Sequence, residues 1–128
     1  MAYITDMKSS ANRHYEDGRK LEHDKRYDNA GYHYGFAAEC AVKHCLRQTG
    51  VRDDDDAIWT HFPALKTFAL LALSSRRAAE LRKMLSRQSF MQSWEIKMRY
   101  SCNGSVAMAE LVRWRQDAGE AIGLLVVS

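Results

Sequence analysis

A run of basic side chains in the second half of the chain is the feature best suited to chemistry with an anion. Residues 1–56 carry a net charge of −2 and residues 57–128 carry +5, and the excess lies within residues 76–99. Planar arginine donors match phosphate oxygens. The pattern predicts a surface that faces phosphate or nucleic acid, built from Arg99, Tyr100, Arg76, Arg77, Arg82 and Lys83. The alternative is that these side chains are the solvated faces of ordinary helices.

A second charged pair, Glu39 and Lys43, lies four positions apart in an alanine-rich segment, residues 26–46. On an exposed helix this spacing gives a stabilising pair. One stripe of the helix consists of Ala30, Tyr34, Ala37, Ala38, Ala41 and Cys45. About 180° away lie Tyr32, Phe36, Glu39 and Lys43. This second face predicts either packing on a third helix or a two-fold dimer interface made by those four residues.

Possible metal ligands occur on the same helix. His33, Cys40 and His44 lie within about 40° of one another, and they are residue types that bind zinc. However, His33 and Cys40 are about 10 Å apart along the axis, which is too far for one ion. Cys40 and His44 could form half a site, completed by His61 or Cys102. The four aspartates at 53–56 lack the spacing of a calcium loop. The sequence therefore predicts no metal and no cofactor.

Composition limits the class of protein. With 128 residues, 46% hydrophobic and 27% charged, the chain has the size of one compact domain spanning residues 1–128. Three cysteines, without a basic and apolar leader ahead of them, predict free thiols and a cytoplasmic location. The apolar run at 124–127 is far shorter than the roughly 20 residues that cross a bilayer. No membrane segment is expected.

Long periodic segments between short polar breaks, with a single proline, predict an all-α protein. Helix one is expected over about 10–25, with Ser10 as N-cap, and helix two over about 28–48, with Asp28 as N-cap. A third helix begins near Pro63. A fourth covers about 75–88, and its inward residues are Ala78, Leu81, Met84 and Leu85. The last is capped by Ser105 and carries Met108, Leu111, Val112, Ala118, Ile122 and Leu125 on its inner side. All three tryptophans, Trp59, Trp94 and Trp114, are expected to anchor the core or an interface.

The order of these segments resembles that of HEPN domains. The resemblance is carried by the two opening helices with Glu39-Cys40-Ala41-Val42-Lys43, by His61 at the start of a helix, and by Arg99-Tyr100 just before the final helix. It covers most of the chain. It implies an up-and-down bundle of four or five helices, a homodimer, and a place in prokaryotic toxin–antitoxin, antiviral defence or nucleotidyltransferase-associated systems.

In the ribonuclease branch of that family, four to six residues separate an arginine from the histidine that follows it. The arginine stabilises charge on the phosphate and the histidine transfers a proton. Here Arg99 is followed at those positions by Gly104, Ser105 and Val106, and no histidine occurs after His61. Tyr100 and Cys102 have pKa values poorly matched to this task at neutral pH. A structural role for Arg99 is the alternative, in which a half-buried guanidinium ties its loop to carbonyls or to an acidic side chain.

These observations predict a HEPN-like module that binds RNA, a nucleotide or a partner nucleotidyltransferase or defence enzyme, and that is non-catalytic alone. One alternative is a metal-independent endoribonuclease, in which Arg99 acts with Tyr100, Cys102 or a histidine of the first 61 residues. Another is a purely structural dimerisation domain.

Overall fold

The computed structural model describes residues 3–51, 56–73 and 78–126, and all regular structure within these ranges is helical. Five α-helices follow one another: α1 (Met7–His23), α2 (Tyr27–Gln48), α3 (Ala64–Ala72), α4 (Ala79–Ser86) and α5 (Met108–Gly123). Short 3₁₀ turns cover Asp56–Trp59, Ile96–Tyr100 and Leu124–Val126. The predicted all-α bundle is confirmed.

Helix α1 begins one turn earlier than the sequence predicted. Its N-cap is Asp6, whose carboxylate accepts a hydrogen bond from the backbone N–H of Ser9 at 2.9 Å. Ser10 instead lies inside the helix, because the aspartate four residues earlier already supplies the capping oxygen. Two small residues, Ala11 and Gly18, are buried against α2. At Gly18 an added Cβ would lie 2.8 Å from the Tyr34 ring, so this glycine permits close approach of the two helices.

Helix α2 is the centre of the protein, and its predicted alanine stripe is confirmed. Ala30, Tyr34, Ala37, Ala38 and Ala41 are fully buried, and Cys45 nearly so. The Tyr34 hydroxyl donates to Glu22 on α1 at 2.6 Å, and Glu22 also pairs with Arg115 of α5. This chain of polar contacts links the first, second and last helices.

The opposite face of α2 is covered within the single chain. The Trp94 indole stacks on Tyr32 at 6.0 Å between ring centroids and meets Phe36 edge-on at 5.8 Å. Glu39 is only 1% exposed and Lys43 only 6%. Glu39 is covered by the segment before α3, through His61 and Phe62, and the dimer interface predicted for Tyr32, Phe36, Glu39 and Lys43 stays a prediction. These covering segments are irregular rather than a third helix.

The loop that precedes α5 is held by Asp28 rather than capped as predicted. The Asp28 carboxylate accepts from the backbone N–H groups of Gly104, at 2.7 Å, and Val106, at 3.1 Å. It makes no cap for α2, whose N-cap position is Arg26. Likewise Ser105 does not cap α5, since its hydroxyl donates to the carbonyl of Cys102.

The remaining core predictions are largely confirmed. Ala78, Leu81, Met84 and Leu85 are buried, as are Leu111, Ala118 and Leu125. Met108 is 51% exposed because it opens α5 at the surface. Trp94 and Trp114 are buried, whereas Trp59 is 54% exposed and so is not a core anchor. Among the residues described, no helix combines the length and apolar character needed to cross a bilayer.

Candidate functional site

Arg99 lies on the surface, in the 3₁₀ turn that precedes α5. Its guanidinium carbon is 5.0 Å from the ring centroid of Tyr100, and its side chain also interacts with Tyr32 on α2. Interactions with these two tyrosines raise the pKa of Arg99, and the interaction with Tyr32 has the largest effect. Arg99 is exposed, so the alternative of a half-buried arginine that ties its loop to carbonyls is wrong. Its donors face solvent beside an aromatic ring that is 78% exposed.

The other basic residues predicted to face phosphate together with Arg99 do not share one role. The Arg82 guanidinium donates to the carbonyl of Leu73, which is the C-cap residue of α3. The Arg82 guanidinium therefore caps the C-terminal end of α3. Lys83 is exposed on α4. Arg76 and Arg77 lie outside the described residues.

A second group of polar side chains lines a cleft of about 490 Å³ formed by α1, α2 and the segment before α3. The basic residues in its wall are Arg13 and His14 of α1, Lys43 of α2, and His61. Its acidic residues are Glu39 and Asp6, and Asp6 is occupied as the N-cap of α1. The cleft therefore carries more potential positive charge than negative charge. Its volume is in the range typical of small-molecule sites.

Glu39 and His61 form a hydrogen-bonded pair at this cleft. Glu39 Oε1 lies 2.9 Å from His61 Nδ1, and Glu39 Oε2 accepts from the backbone N–H of Phe62 at 2.7 Å. Burial raises the pKa of Glu39, while the hydrogen bonds from His61 and Phe62 act in the opposite direction. An ionised Glu39 only accepts, so Nδ1 of His61 carries the proton and Nε2 at the opposite edge of the ring is left for the cleft. The His61 side chain is 39% exposed.

Lys43 is one helical turn beyond Glu39. Burial lowers the pKa of Lys43, and the nearby charges of Glu39 and then Cys40 only partly offset this. Both Glu39 oxygens already accept hydrogen bonds elsewhere. Within the described part of the chain the Lys43 ammonium makes no ion pair. A buried cation whose charge is only partly offset is costly for the protein to keep.

Two further histidines meet between α1 and α2. His14 Nδ1 and His33 Nδ1 are 3.0 Å apart, and the His14 ring stacks on Phe36 with centroids 5.3 Å apart. Burial lowers the pKa of both rings, and in His14 the neighbouring His33 lowers it further. One ring must donate and the other accept, so the contact is incompatible with protonation of both.

The residues considered as zinc ligands do not converge in the described structure. His33 contacts His14, the thiol of Cys40 lies 3.4 Å from the Ser10 hydroxyl, and His44 contacts Gln48. No group of three or more metal-ligating side chains occurs among the described residues. Of the four aspartates at 53–56, the first three are outside the described residues.

Sequence reasoning missed the cleft. It placed Glu39 and Lys43 on a face that packs on a third helix or forms a dimer interface, and it treated His61 as a helix start or a possible zinc ligand. The one local signal was the His61-Phe62-Pro63 segment just before α3, and it does not reveal a partner 22 residues away. Burial of Glu39 and Lys43 comes from tertiary packing, which the spacing of the two residues cannot show.

Comparison with known proteins does not assign this chain to a family. No protein-family model, no curated protein and no solved structure matches this chain.

Proposed function

We propose that this protein is a HEPN-like binding module that uses the Arg99 surface to hold RNA or a nucleotide and does not cleave it alone. The observation that carries the proposal is the exposed guanidinium of Arg99 between two tyrosines, Tyr32 and Tyr100. Arginine offers paired donors to a phosphate, and an exposed tyrosine offers a face on which a base can stack. The exposed Lys97 in the same turn adds positive charge.

The same proposal includes a homodimer, a partner nucleotidyltransferase or defence enzyme, and a cytoplasmic location. The partners rest on the resemblance of the helix order and of Glu39-Cys40-Ala41-Val42-Lys43 and Arg99-Tyr100 to the family. The location is supported by the three cysteines, Cys40, Cys45 and Cys102, which are all free. An exposed thiol such as Cys102 suits a reducing compartment.

The test is binding of a labelled single-stranded RNA pool by wild type, Arg99→Gln and Tyr100→Ala at several salt concentrations. Wild-type affinity should fall as salt rises, because phosphate contacts release counterions. Arg99→Gln should weaken binding and reduce the salt dependence, and Tyr100→Ala should cost about 1–3 kcal/mol of stacking. Arg26→Gln is the matched control, since Arg26 is also exposed but lies at the start of α2. Equal binding by Arg99→Gln and wild type would refute the assignment.

A second candidate function, endoribonuclease activity, is favoured by one observation. The Arg99 side chain reaches Tyr32, and the Tyr32 ring is 6.1 Å from the ring of His33. The histidine next to Tyr32 in sequence, His33, is thus the candidate partner for Arg99. His33 would take or give the proton while Arg99 stabilises the charge on the phosphate. Metal-free RNA cleavage that is lost in both His33→Gln and Arg99→Gln would establish this function in place of simple binding.

A further inference from the structure

We propose that the cleft between α1, α2 and the segment before α3 is a binding site for a phosphate group, with Lys43 and His61 as its ligands. The site is separate from the Arg99 surface and does not depend on the function proposed above. The groups that would bind the phosphate come from the walls of the cleft, and none comes from the 3₁₀ turn that carries Arg99.

The first argument is the state of Lys43. The residue is 6% exposed, it lines the cleft, and no ion pair satisfies its ammonium within the described structure. Its nearest carboxylate, Glu39, directs one oxygen at His61 and the other at the Phe62 backbone. The Lys43 side chain has lost most of its hydration, and only its access to the cleft remains. An anion in the cleft would supply the missing acceptor.

The second argument is the orientation of His61. Its Nδ1 faces Glu39 at 2.9 Å, and so its Nε2 faces away from that carboxylate. The carboxylate on Nδ1 holds the ring in place, with Nε2 directed at the cleft. His61 Nε2 and the Lys43 ammonium would then contact the same anion.

The third argument is the charge of the remaining wall. Arg13 is exposed at the edge of the cleft, and His14 stacks there on Phe36. The carboxylate of Asp6 is held by the Ser9 backbone N–H at the start of α1, and Glu39 is buried beneath His61. A dianion in the cleft would therefore face Lys43, Arg13 and the His61 ring against the charges of Glu39 and Asp6. This combination favours a phosphate over a singly charged carboxylate.

The experiment measures the melting temperature of the full chain against inorganic phosphate, with ionic strength held constant by sodium chloride. Wild type should show a saturable rise, because a ligand that binds only the folded state stabilises it. Lys43→Met should melt higher than wild type without phosphate and show no saturable rise. Lys20→Met is the control, since Lys20 is exposed on α1 outside the cleft, and it should respond like wild type.

Calorimetric titration gives the size of the effect. Lys43→Met should weaken phosphate binding by about 30-fold or more, because it removes a buried charged donor. His61→Gln should weaken it less, and His23→Gln, which changes an exposed histidine of α1, should not. An unsaturable response in wild type, an equal response to acetate, or a response retained in Lys43→Met would each overturn the proposal.

Two further binding measurements identify the molecule that carries the phosphate. AMP is compared with a short RNA carrying either a 5′-phosphate or a 5′-hydroxyl. Competition of AMP with inorganic phosphate would identify a free nucleotide, and competition by only the 5′-phosphorylated RNA would identify an RNA end. Arg99→Gln separates the two proposals, because it should retain the phosphate response of the cleft even where it loses RNA binding.

Discussion

The indole of Trp94 lies directly over the backbone of Gly35 in α2. An added Cβ at Gly35 would overlap the indole atoms Cε2 and Nε1, and the same Nε1 donates to the carbonyl of Gly31 at 3.1 Å. The absence of a side chain at one helix position thus creates the space for the largest buried side chain. Trp94 in turn covers Tyr32 and Phe36, which border the two candidate sites.

Gly35→Ala should therefore destabilise the protein by about 3 kcal/mol, since overpacking a rigid ring exceeds the helix-propensity gain of about 1 kcal/mol. Denaturant unfolding measures this change. Gly123→Ala is the matched control, because nothing lies within 4 Å of the Cβ it would add. It should leave the free energy of unfolding unchanged or slightly raised. Similar stability of the two variants would show that Trp94 does not pack on Gly35.

Asp28 holds the loop before α5 through two backbone N–H groups, those of Gly104 and Val106. Asp28→Asn replaces one carboxylate oxygen with an amide nitrogen that cannot accept, and it removes the negative charge. We expect a loss of about 1 kcal/mol in the free energy of unfolding, because the contacts are largely exposed. Hydrogen exchange at Gly104 should accelerate. Asp24→Asn, at an exposed position after α1, should change neither quantity.

Acid should weaken the contact between His14 and His33. Burial holds the pKa of each ring below its usual 6.5, so the unfolded chain binds more protons than the folded chain in the window just below that value. The stability contributed by the neutral pair is present above pH 6.5 and is lost as the pH falls through the lowered folded values. His33→Gln should flatten the profile of melting temperature against pH in this window. His23→Gln should retain the wild-type slope, and a slope unchanged in His33→Gln would contradict the assignment.

Raising the pH should reduce the free-energy cost of burying Lys43. The folded pKa of Lys43 lies below its usual value of 10.5, so the unfolded state binds the extra proton between the folded value and 10.5. Wild-type stability should consequently rise relative to Lys43→Met as the pH increases toward 10.5. Measuring the difference between the two proteins cancels the titration of tyrosines and other lysines. A difference that is constant with pH would mean that Lys43 is not held in a desolvated state.

Lys43→Met should also raise the free energy of unfolding at neutral pH by about 1–3 kcal/mol, because an apolar chain of similar length replaces a buried charge that Glu39 only partly offsets. Chemical unfolding in a buffer without phosphate measures this. Lys20→Met, on the exposed side of α1, should stay within about 0.5 kcal/mol of wild type. Destabilisation by Lys43→Met would indicate that the ammonium has a partner in the folded chain.

The helices and most of the core could be predicted from the sequence by itself. Periodicity assigned the alanine stripe of α2 and the inward residues of α4, and the physical reason is that residues three and four apart share one face of any helix. Helix ends were less accurate. Asp6, Ser10, Asp28 and Ser105 all have side chains that can cap, and which one does so depends on the path of the neighbouring loop.

Only the tertiary structure decided the surroundings of the polar residues. The sequence placed Glu39 and Lys43 correctly on one face, but the segment carrying His61 and Phe62 determined that Glu39 is buried and that this face lines a cleft. Arg82 likewise matches a phosphate-facing surface in sequence, yet it caps α3 because the carbonyl of Leu73 lies within its reach. Residue types and spacing determine which groups are available within one element, whereas pairing across 22 residues, as in Glu39 and His61, is determined by how the elements pack.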